Sequence, residues 1–176
     1  MDIKQVLGRF LKPPFVVTAV YLLKHKVMAS PRAEVELSDR MEIGKGAVFS
    51  SFTQVKTTGG GRMKIGEKVN VGIGAHIVAG PGGVSIGEKC LISQNVCIEG
   101  INYRYDRLDV PFMEQEQTSK GIVIERNVWI GANCVVLDGA HIEEGSIVTP
   151  GSVVQGRIKA NSIASGNPAK SIFTRR

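Results

Sequence analysis

The chain has 176 residues, enough for one main domain with an appendage, and carries a net charge of +6 at pH 7. A positive surplus suits several partners, but the sequence has neither an aromatic stacking set nor a recognised nucleic-acid motif, so we expect no nucleic-acid partner. The three cysteines form no disulfide or metal-binding pattern, which suits a reducing compartment.

The first 30 residues differ from the rest of the chain and form a predicted helical and apolar segment. Residues 2–12 are predicted to form a short amphipathic helix, which the two following prolines end. The next apolar run, at 15–23, is too short to span a bilayer, which needs about 20 residues. We predict that this run is a helix that covers the open end of the domain that follows.

Two alternatives for this segment depend on its charge. A peripheral membrane contact through residues 1–26 would combine the apolar run with basic side chains that face anionic lipid. A signal peptide is disfavoured, because basic residues at 24–26 interrupt the segment just before the cleavage-like pair Ala29-Ser30. The predicted location is therefore the cytoplasm, with the inner face of the membrane as the alternative.

From residue 43 onward, an aliphatic residue returns at every sixth position. Short runs come first, and the longest run then gives six successive hexapeptides that begin at Ile124, Ile130, Val136, Ile142, Val148 and Val154. Neither an α-helix, with a period of 3.6, nor a plain strand, with a period of 2, produces this spacing. It is typical of a β-solenoid, in which each hexapeptide makes a short strand and a corner. An ordinary β-sandwich is the alternative.

Small residues and interruptions locate the corners of this solenoid. Four positions after each aliphatic residue comes a mostly small side chain, such as Cys134 or Ala140, which fits where the backbone bends. Three segments break the phase and are interpreted as loops at corners: 57–62, 80–83 and 102–121. The predicted organisation has three parts: a helical segment at 1–30, a β-helix at 31–160 with the extruded loop 102–121, and a tail at 161–176.

Two motifs give the chain a resemblance to a known family. The segment Asn-Val-Trp-Ile-Gly-Ala-Asn at 127–133 and the ending Ser-Gly-Asn-Pro-Ala-Lys at 165–170, together with the hexapeptides, resemble the hexapeptide-repeat acyltransferases. The resemblance is to the sugar O-acetyltransferase branch, which includes galactoside and maltose acetyltransferases. It implies an all-β solenoid, a left-handed parallel β-helix with three strands per coil. It also implies a homotrimer in which acetyl-CoA and a sugar acceptor meet between adjacent subunits.

The activity that this resemblance implies is acetyl transfer from acetyl-CoA to a sugar hydroxyl of a surface polysaccharide or its precursor. A base removes the hydroxyl proton, and a backbone N–H stabilises the developing oxyanion. In the family the base is a histidine at the start of the long loop, and here Tyr103 occupies that position. A tyrosine is a weak base at neutral pH, because its reference pKa is about 10. A catalytically impaired or noncatalytic trimer that binds CoA or has a structural role is therefore the alternative.

The same resemblance implies roles for other residues. Asn102 and Asp106, in the loop, would bind sugar hydroxyls. Ala132 and Ser152 would lie along the pantetheine arm of acetyl-CoA. Lys170 would bind a phosphate at the nucleotide end through its charge.

Histidines elsewhere are candidates for a substitute base. His76 is preferred because it precedes the glycine-rich break at 80–83, in a region that lines the acceptor groove in relatives. His141 is interpreted as a surface residue, and His25 lies outside the repeats. A zinc site like that of the carbonic anhydrases built on this coil needs three converging imidazoles, but these histidines are scattered. We expect no metal, and a carbonic anhydrase relative is the least favoured function.

Overall fold

The computed structural model describes residues 13–175, and a short helical segment comes first. Helix α1 spans Pro14–Val20 and continues as a π-helical turn at Tyr21–His25. This confirms the helix predicted over the apolar run, whereas the amphipathic helix predicted at 2–12 lies outside the described residues. Within 13–175, every helix is too short or too polar to cross a bilayer.

The helical segment is attached to the first coils through its buried side. Tyr21 is buried, and its hydroxyl donates a hydrogen bond to the backbone oxygen of Glu36. Burial and the charge of Glu36 raise the pKa of Tyr21, so this hydroxyl stays protonated and remains a donor. Val17 also packs against the core. The segment therefore lies against the N-terminal end of the strands that follow.

Short strands make up most of the remaining chain. The strands before the long loop are β1 (Met28–Ala29), β2 (Glu34–Val35), β3 (Met41–Ile43), β4 (Val48–Phe49), β5 (Gln54–Thr57), β6 (Met63–Ile65), β7 (Asn70–Val71), β8 (His76–Ala79), β9 (Val84–Ile86), β10 (Leu91–Ile92) and β11 (Cys97–Glu99). The loop contains β12 (Asn102–Tyr103), a 3-10 turn (Phe112–Glu114) and β13 (Gln117–Thr118). After it come β14 (Ile122–Ile124), β15 (Trp129–Ile130), β16 (Val135–Leu137), β17 (His141–Ile142), β18 (Ile147–Val148), β19 (Val153–Val154), β20 (Arg157–Ile158), β21 (Ser162–Gly166) and β22 (Ala169–Thr174).

Apart from the β12–β13 hairpin, these strands form three sheets, and each coil contributes one strand to each sheet. The first sheet has the order β1-β4-β7-β10-β15-β18-β21-β22, the second β2-β5-β8-β11-β16-β19, and the third β3-β6-β9-β14-β17-β20. Strands from successive coils are parallel and in register, and only β22 runs antiparallel to its neighbour in these sheets. The architecture confirms the predicted β-solenoid.

The interior of the solenoid is a stack of aliphatic side chains. Ile98 on β11 lies in register between Ile77 of the preceding coil and Val136 of the next, and all three are fully buried. Cys90 and Cys134 are free, buried thiols. Burying an aliphatic side chain of this size contributes about 1.5–3 kcal/mol relative to exposure. The stack is thus a principal source of stability.

All three interruptions of the hexapeptide phase leave the solenoid at one edge, between the second and third sheets. They follow β5, β8 and β11. Glycine permits close stacking of coils there: a Cβ at Gly61 would collide with the backbone oxygen of Gly80, and one at Gly82 with the backbone nitrogen of Gly121. The predicted loops therefore form a single column along this edge.

The C-terminal strands end the solenoid by reversing direction. β21 continues the first sheet in parallel, and β22 then turns back to pair antiparallel with it. Gly166, with φ of +104°, lies at this reversal, where its missing Cβ is required. The backbone N–H of Arg175 donates to the oxygen of Asn161 at 2.7 Å and fixes the end of the tail.

Candidate functional site

Residues 101–121 form a long loop whose base is a two-stranded hairpin. β12 pairs antiparallel with β13, so that Tyr103 lies opposite Gln117. The Gln117 side-chain nitrogen donates a hydrogen bond to the Tyr103 hydroxyl oxygen at 2.8 Å. The Asn102 side-chain oxygen accepts a hydrogen bond from the backbone N–H of Tyr103 at 2.9 Å. Two of the predicted site residues are thus held side by side in this exposed hairpin.

Asp106, the second predicted sugar ligand, is engaged by an arginine. Arg104 donates two hydrogen bonds to its carboxylate, from Nε at 3.0 Å and from the guanidinium NH₂ at 2.9 Å. These hydrogen bonds and the charge of Arg104 lower the pKa of Asp106. Arg107 and Asp109 repeat the arrangement, at 3.3 and 2.7 Å. A sugar hydroxyl that reaches Asp106 would therefore meet a carboxylate already paired with a guanidinium.

The outer part of the loop is organised around one glutamine. The Gln115 side chain is mostly buried, and its nitrogen donates to the backbone oxygens of Arg107 and Val110, both at 2.9 Å. Its oxygen accepts the backbone N–H of Arg107 at 3.4 Å. These contacts tie the two sides of the tip together without an apolar core.

Two other side chains attach the loop to the solenoid. The Ser119 hydroxyl donates to the backbone oxygen of Gly100 at 2.6 Å and accepts the N–H of Gly82 at 2.9 Å. The Asp138 carboxylate accepts the N–H groups of Lys120 and Gly121, both at 2.8 Å. Sequence analysis missed Ser119, Asp138 and Gln117. Ser119 and Gln117 lie outside the hexapeptide pattern, Asp138 lies within the hexapeptide that begins at Val136, and nothing in their spacing indicates their partners.

Replacing Gln115 by alanine is expected to loosen the tip of the loop. The substitution removes three hydrogen bonds that close the segment between Arg107 and Gln115, so local opening should become more frequent. Limited trypsin digestion should then cut after Arg107 several times faster than in the unsubstituted protein. Glu114→Ala, an exposed neighbour, is the control and should leave the rate unchanged. Equal cleavage rates for both variants would contradict the anchoring role of Gln115.

His76 lies on the outward side of β8, in the second sheet. Its Nε2 atom is buried and has no hydrogen-bond partner within residues 13–175. Burial lowers the pKa of this imidazole, and the positive charge of Lys56 lowers it further, so the ring is neutral at neutral pH. Its register partner on β11 is Cys97. Sequence analysis singled out His76 but did not pair it with this cysteine.

The three predicted CoA-binding residues are distributed over the C-terminal coils. Ala132 is half-buried after β15, and its backbone oxygen accepts the N–H of Gly151 at 2.9 Å. Ser152 is buried, and its hydroxyl accepts the backbone N–H of Gly166 at 3.1 Å. Lys170 is exposed on β22. The Ser152 side chain therefore supports the C-terminal reversal from inside, whereas Ala132 and Lys170 reach the surface.

Family models match two parts of the repeat region. The model of the bacterial transferase hexapeptide (six repeats) matches residues 121–156, and that of the hexapeptide repeat of succinyl-transferase matches residues 62–99. Together the matches cover coils on both sides of the long loop.

Two curated relatives are named as O-acetyltransferases. The chain is 32% identical over 138 residues to the Escherichia coli K12 protein named "Putative lipopolysaccharide biosynthesis O-acetyl transferase WbbJ", covering 74% of this chain and 70% of that protein. It is 29% identical over 118 residues to the polysialic acid O-acetyltransferase of Escherichia coli O1:K1 / APEC, covering 67% of this chain but only 38% of the relative.

Solved structures share the fold at low sequence identity. A single-residue mutant of AntD, an N-acyltransferase from Bacillus cereus, in complex with dTDP and coenzyme A, superposes with a TM-score of 0.75 at 19% identity, over 85% of this chain and 82% of the AntD chain. The polySia-specific acetyltransferase NeuO gives a TM-score of 0.57 at 23% identity, over 84% of this chain and 71% of NeuO. Sequence match, repeat pattern and three-sheet solenoid agree, and the chain belongs to the hexapeptide-repeat transferase family.

Proposed function

We propose that this protein transfers an acetyl group from acetyl-CoA to a sugar hydroxyl of a surface polysaccharide or its precursor. The observation that carries the proposal is the 32% identity to WbbJ, which extends over 138 residues and 74% of this chain. The likeness to a polysialic acid O-acetyltransferase, in sequence and in fold, supports a hydroxyl acceptor. The complex of AntD with coenzyme A supports a CoA thioester as donor.

The proposed assembly is a homotrimer of left-handed β-helices with the acceptor between neighbouring subunits. Outward side chains of the first sheet support association, since Leu91 and Trp129 lie in register on its outer face and are both nearly half exposed. Peripheral membrane contact through residues 1–26 is part of the proposal. It is supported by the exposed Phe15 and Leu23 beside Lys24, and it would place the protein at the cytoplasmic face of the membrane.

In the proposed reaction the acceptor hydroxyl oxygen attacks the carbonyl carbon of the thioester. A carbon–oxygen bond forms, the carbon–sulfur bond breaks, and the hydroxyl proton ends on the departing CoA thiol. The backbone N–H of Ala132 would lie near the thioester, and the Lys170 ammonium would bind a phosphate. Ser152 would contribute through the backbone that its hydroxyl supports, because its side chain faces the interior.

Tyr103 and His76 would together perform the role of the histidine that acts as the base in the family. The Tyr103 oxygen already accepts a hydrogen bond from Gln117, so its O–H is oriented to donate a hydrogen bond to the acceptor. The neutral imidazole of His76 is the better proton acceptor of the two, and its Nε2 atom has no hydrogen-bond partner in the described part of the chain. Asn102 and Asp106 would contact the sugar from the same loop.

A noncatalytic CoA-binding trimer is the second candidate function. The observation that favours it is the same Tyr103–Gln117 hydrogen bond, because it uses the oxygen on which a base would accept a proton. In this case the solenoid would still bind CoA but would not transfer an acetyl group.

Acetyl transfer with a panel of acceptors separates the two functions. The protein is incubated with acetyl-CoA and nucleotide sugars, oligosaccharides or polysaccharides, and acetylated products are detected by mass spectrometry. Calorimetry measures the binding of CoA to the protein separately from acetyl transfer. We expect an acceptor-dependent gain of one acetyl group. CoA binding without any acetylated product would favour the noncatalytic trimer, and absence of both would overturn the proposal.

A further inference from the structure

Three side chains of different chemistry meet on the outer face of the second sheet. His76 on β8 and Cys97 on β11 are register partners in successive coils. Glu99 lies two residues after Cys97 on the same strand and therefore points to the same side of the sheet. One ring nitrogen of His76, the Cys97 sulfur and a Glu99 carboxylate oxygen all lie within 4.8 Å of one another.

These side chains approach closely without bonding to each other. All three are half-buried, and no hydrogen bond or ion pair joins them in the part of the chain that the structure describes. Burial lowers the pKa of His76 and raises those of Cys97 and Glu99, so the charged form of each group is less stable here than in water. A buried imidazole nitrogen without a partner is costly unless a ligand occupies it.

We propose that His76, Cys97 and Glu99 bind one divalent transition-metal ion, with Zn²⁺ as the best match. An imidazole nitrogen, a thiolate and a carboxylate are three accepted zinc ligands, and the fourth position of a tetrahedral site remains for water or another molecule. Mg²⁺ and Ca²⁺ prefer oxygen ligands throughout and fit this set poorly. The three ligands are of different residue types. For this reason the three scattered histidines of the sequence did not indicate a metal site.

Charge balance supports a cation at this place. Binding releases the Cys97 proton to solvent, and the resulting thiolate together with the Glu99 carboxylate neutralises a divalent ion. Lys56 opposes binding, because its ammonium interacts with both His76 and Glu99 from the neighbouring β5. The affinity should therefore be moderate and should rise when this charge is removed.

The proposal is independent of acetyl transfer. A metal ion on the His76 lone pair would prevent that nitrogen from accepting a proton, so a metal-loaded subunit cannot use His76 as its base. Metal binding is therefore measured by spectroscopy and not by activity.

Cobalt titration of the full-length, chelator-treated protein tests the site. One equivalent of Co²⁺ should give a thiolate-to-cobalt charge-transfer band in the near ultraviolet, and Zn²⁺ should displace it. Cys97→Ser should abolish the band. His76→Asn should weaken Co²⁺ binding by at least about 10–100-fold, the range seen even for loss of an outer-shell partner. Lys56→Gln should tighten binding several-fold. Circular dichroism of each variant checks that the fold is kept.

His141→Asn provides the matched control. His141 is also a half-buried outward histidine, but its Nε2 forms a hydrogen bond with Glu125 at 2.8 Å and has no cysteine as register partner. This variant should bind Co²⁺ unchanged. Absence of the charge-transfer band in the unsubstituted protein, or a band that persists in Cys97→Ser, would overturn the proposal.

Discussion

Tyr103→His is expected to raise the rate of acetyl transfer by about 10²-fold or more, the lower end of what a general base contributes. An imidazole has a reference pKa of about 6.5 and can accept a proton at neutral pH. Gln117 can turn its amide so that the oxygen accepts the imidazole N–H, which leaves the other ring nitrogen free for the acceptor hydroxyl. The measurement is kcat/KM for the acceptor identified in the panel.

Tyr105→His is the matched control for this prediction. Tyr105 lies in the same loop two residues on, is more exposed than Tyr103, and takes part in no hairpin pairing. The Tyr105→His substitution should leave kcat/KM unchanged within about twofold, which is the scatter expected for a neutral change at the surface. If Tyr103→His gives no gain and calorimetry detects no CoA binding, the transferase proposal fails and a structural role is favoured.

Ile124→Ala is expected to destabilise the protein by about 2–5 kcal/mol, the usual range for deleting a buried aliphatic side chain. Ile124 is fully buried and lies in register between Ile86 of the preceding coil and Ile142 of the next. A cavity there removes contacts with both neighbours, and the parallel strands leave little freedom for collapse. The shift in urea midpoint, at one fixed protein concentration, measures the change.

The adjacent residue provides the control. Val123 lies on the same strand, is 43% exposed and points away from the interior. Val123→Ala should change the free energy of unfolding by less than about 1 kcal/mol, since it creates no cavity. Equal destabilisation by the two variants would contradict the inward and outward assignment on which the interpretation of the hexapeptides depends.

Much of the fold could be predicted because every coil repeats the same local rule. An aliphatic residue such as Ile130 must face inward in a solenoid, and a small residue such as Cys134 must occupy the corner. The glycine-rich breaks could be assigned to corners for the same reason, since an insertion elsewhere would interrupt a strand. The N-terminal apolar run was predicted to be a helix because the open end of a solenoid must be covered.

The contacts of the site could not be predicted in the same way. Asp138 binds N–H groups at Lys120 and Gly121, and that pairing depends on where a loop outside the repeat returns to the solenoid. His76 and Cys97 become neighbours only because the glycine-rich turn after β8 sets the length of one coil. A cross-coil pair of this kind has no fixed sequence separation, so no motif reveals it.

The reversed β22 also limits how molecules of this protein can associate. A parallel solenoid that ended in an open coil would offer strand edges on which the first coil of a second molecule could continue, and growth would be unlimited. Here the first sheet finishes with an antiparallel strand, and its opposite end, β1, lies beside the π-helical turn at Tyr21–His25. Strand addition by a second molecule is therefore opposed at both ends of the first sheet.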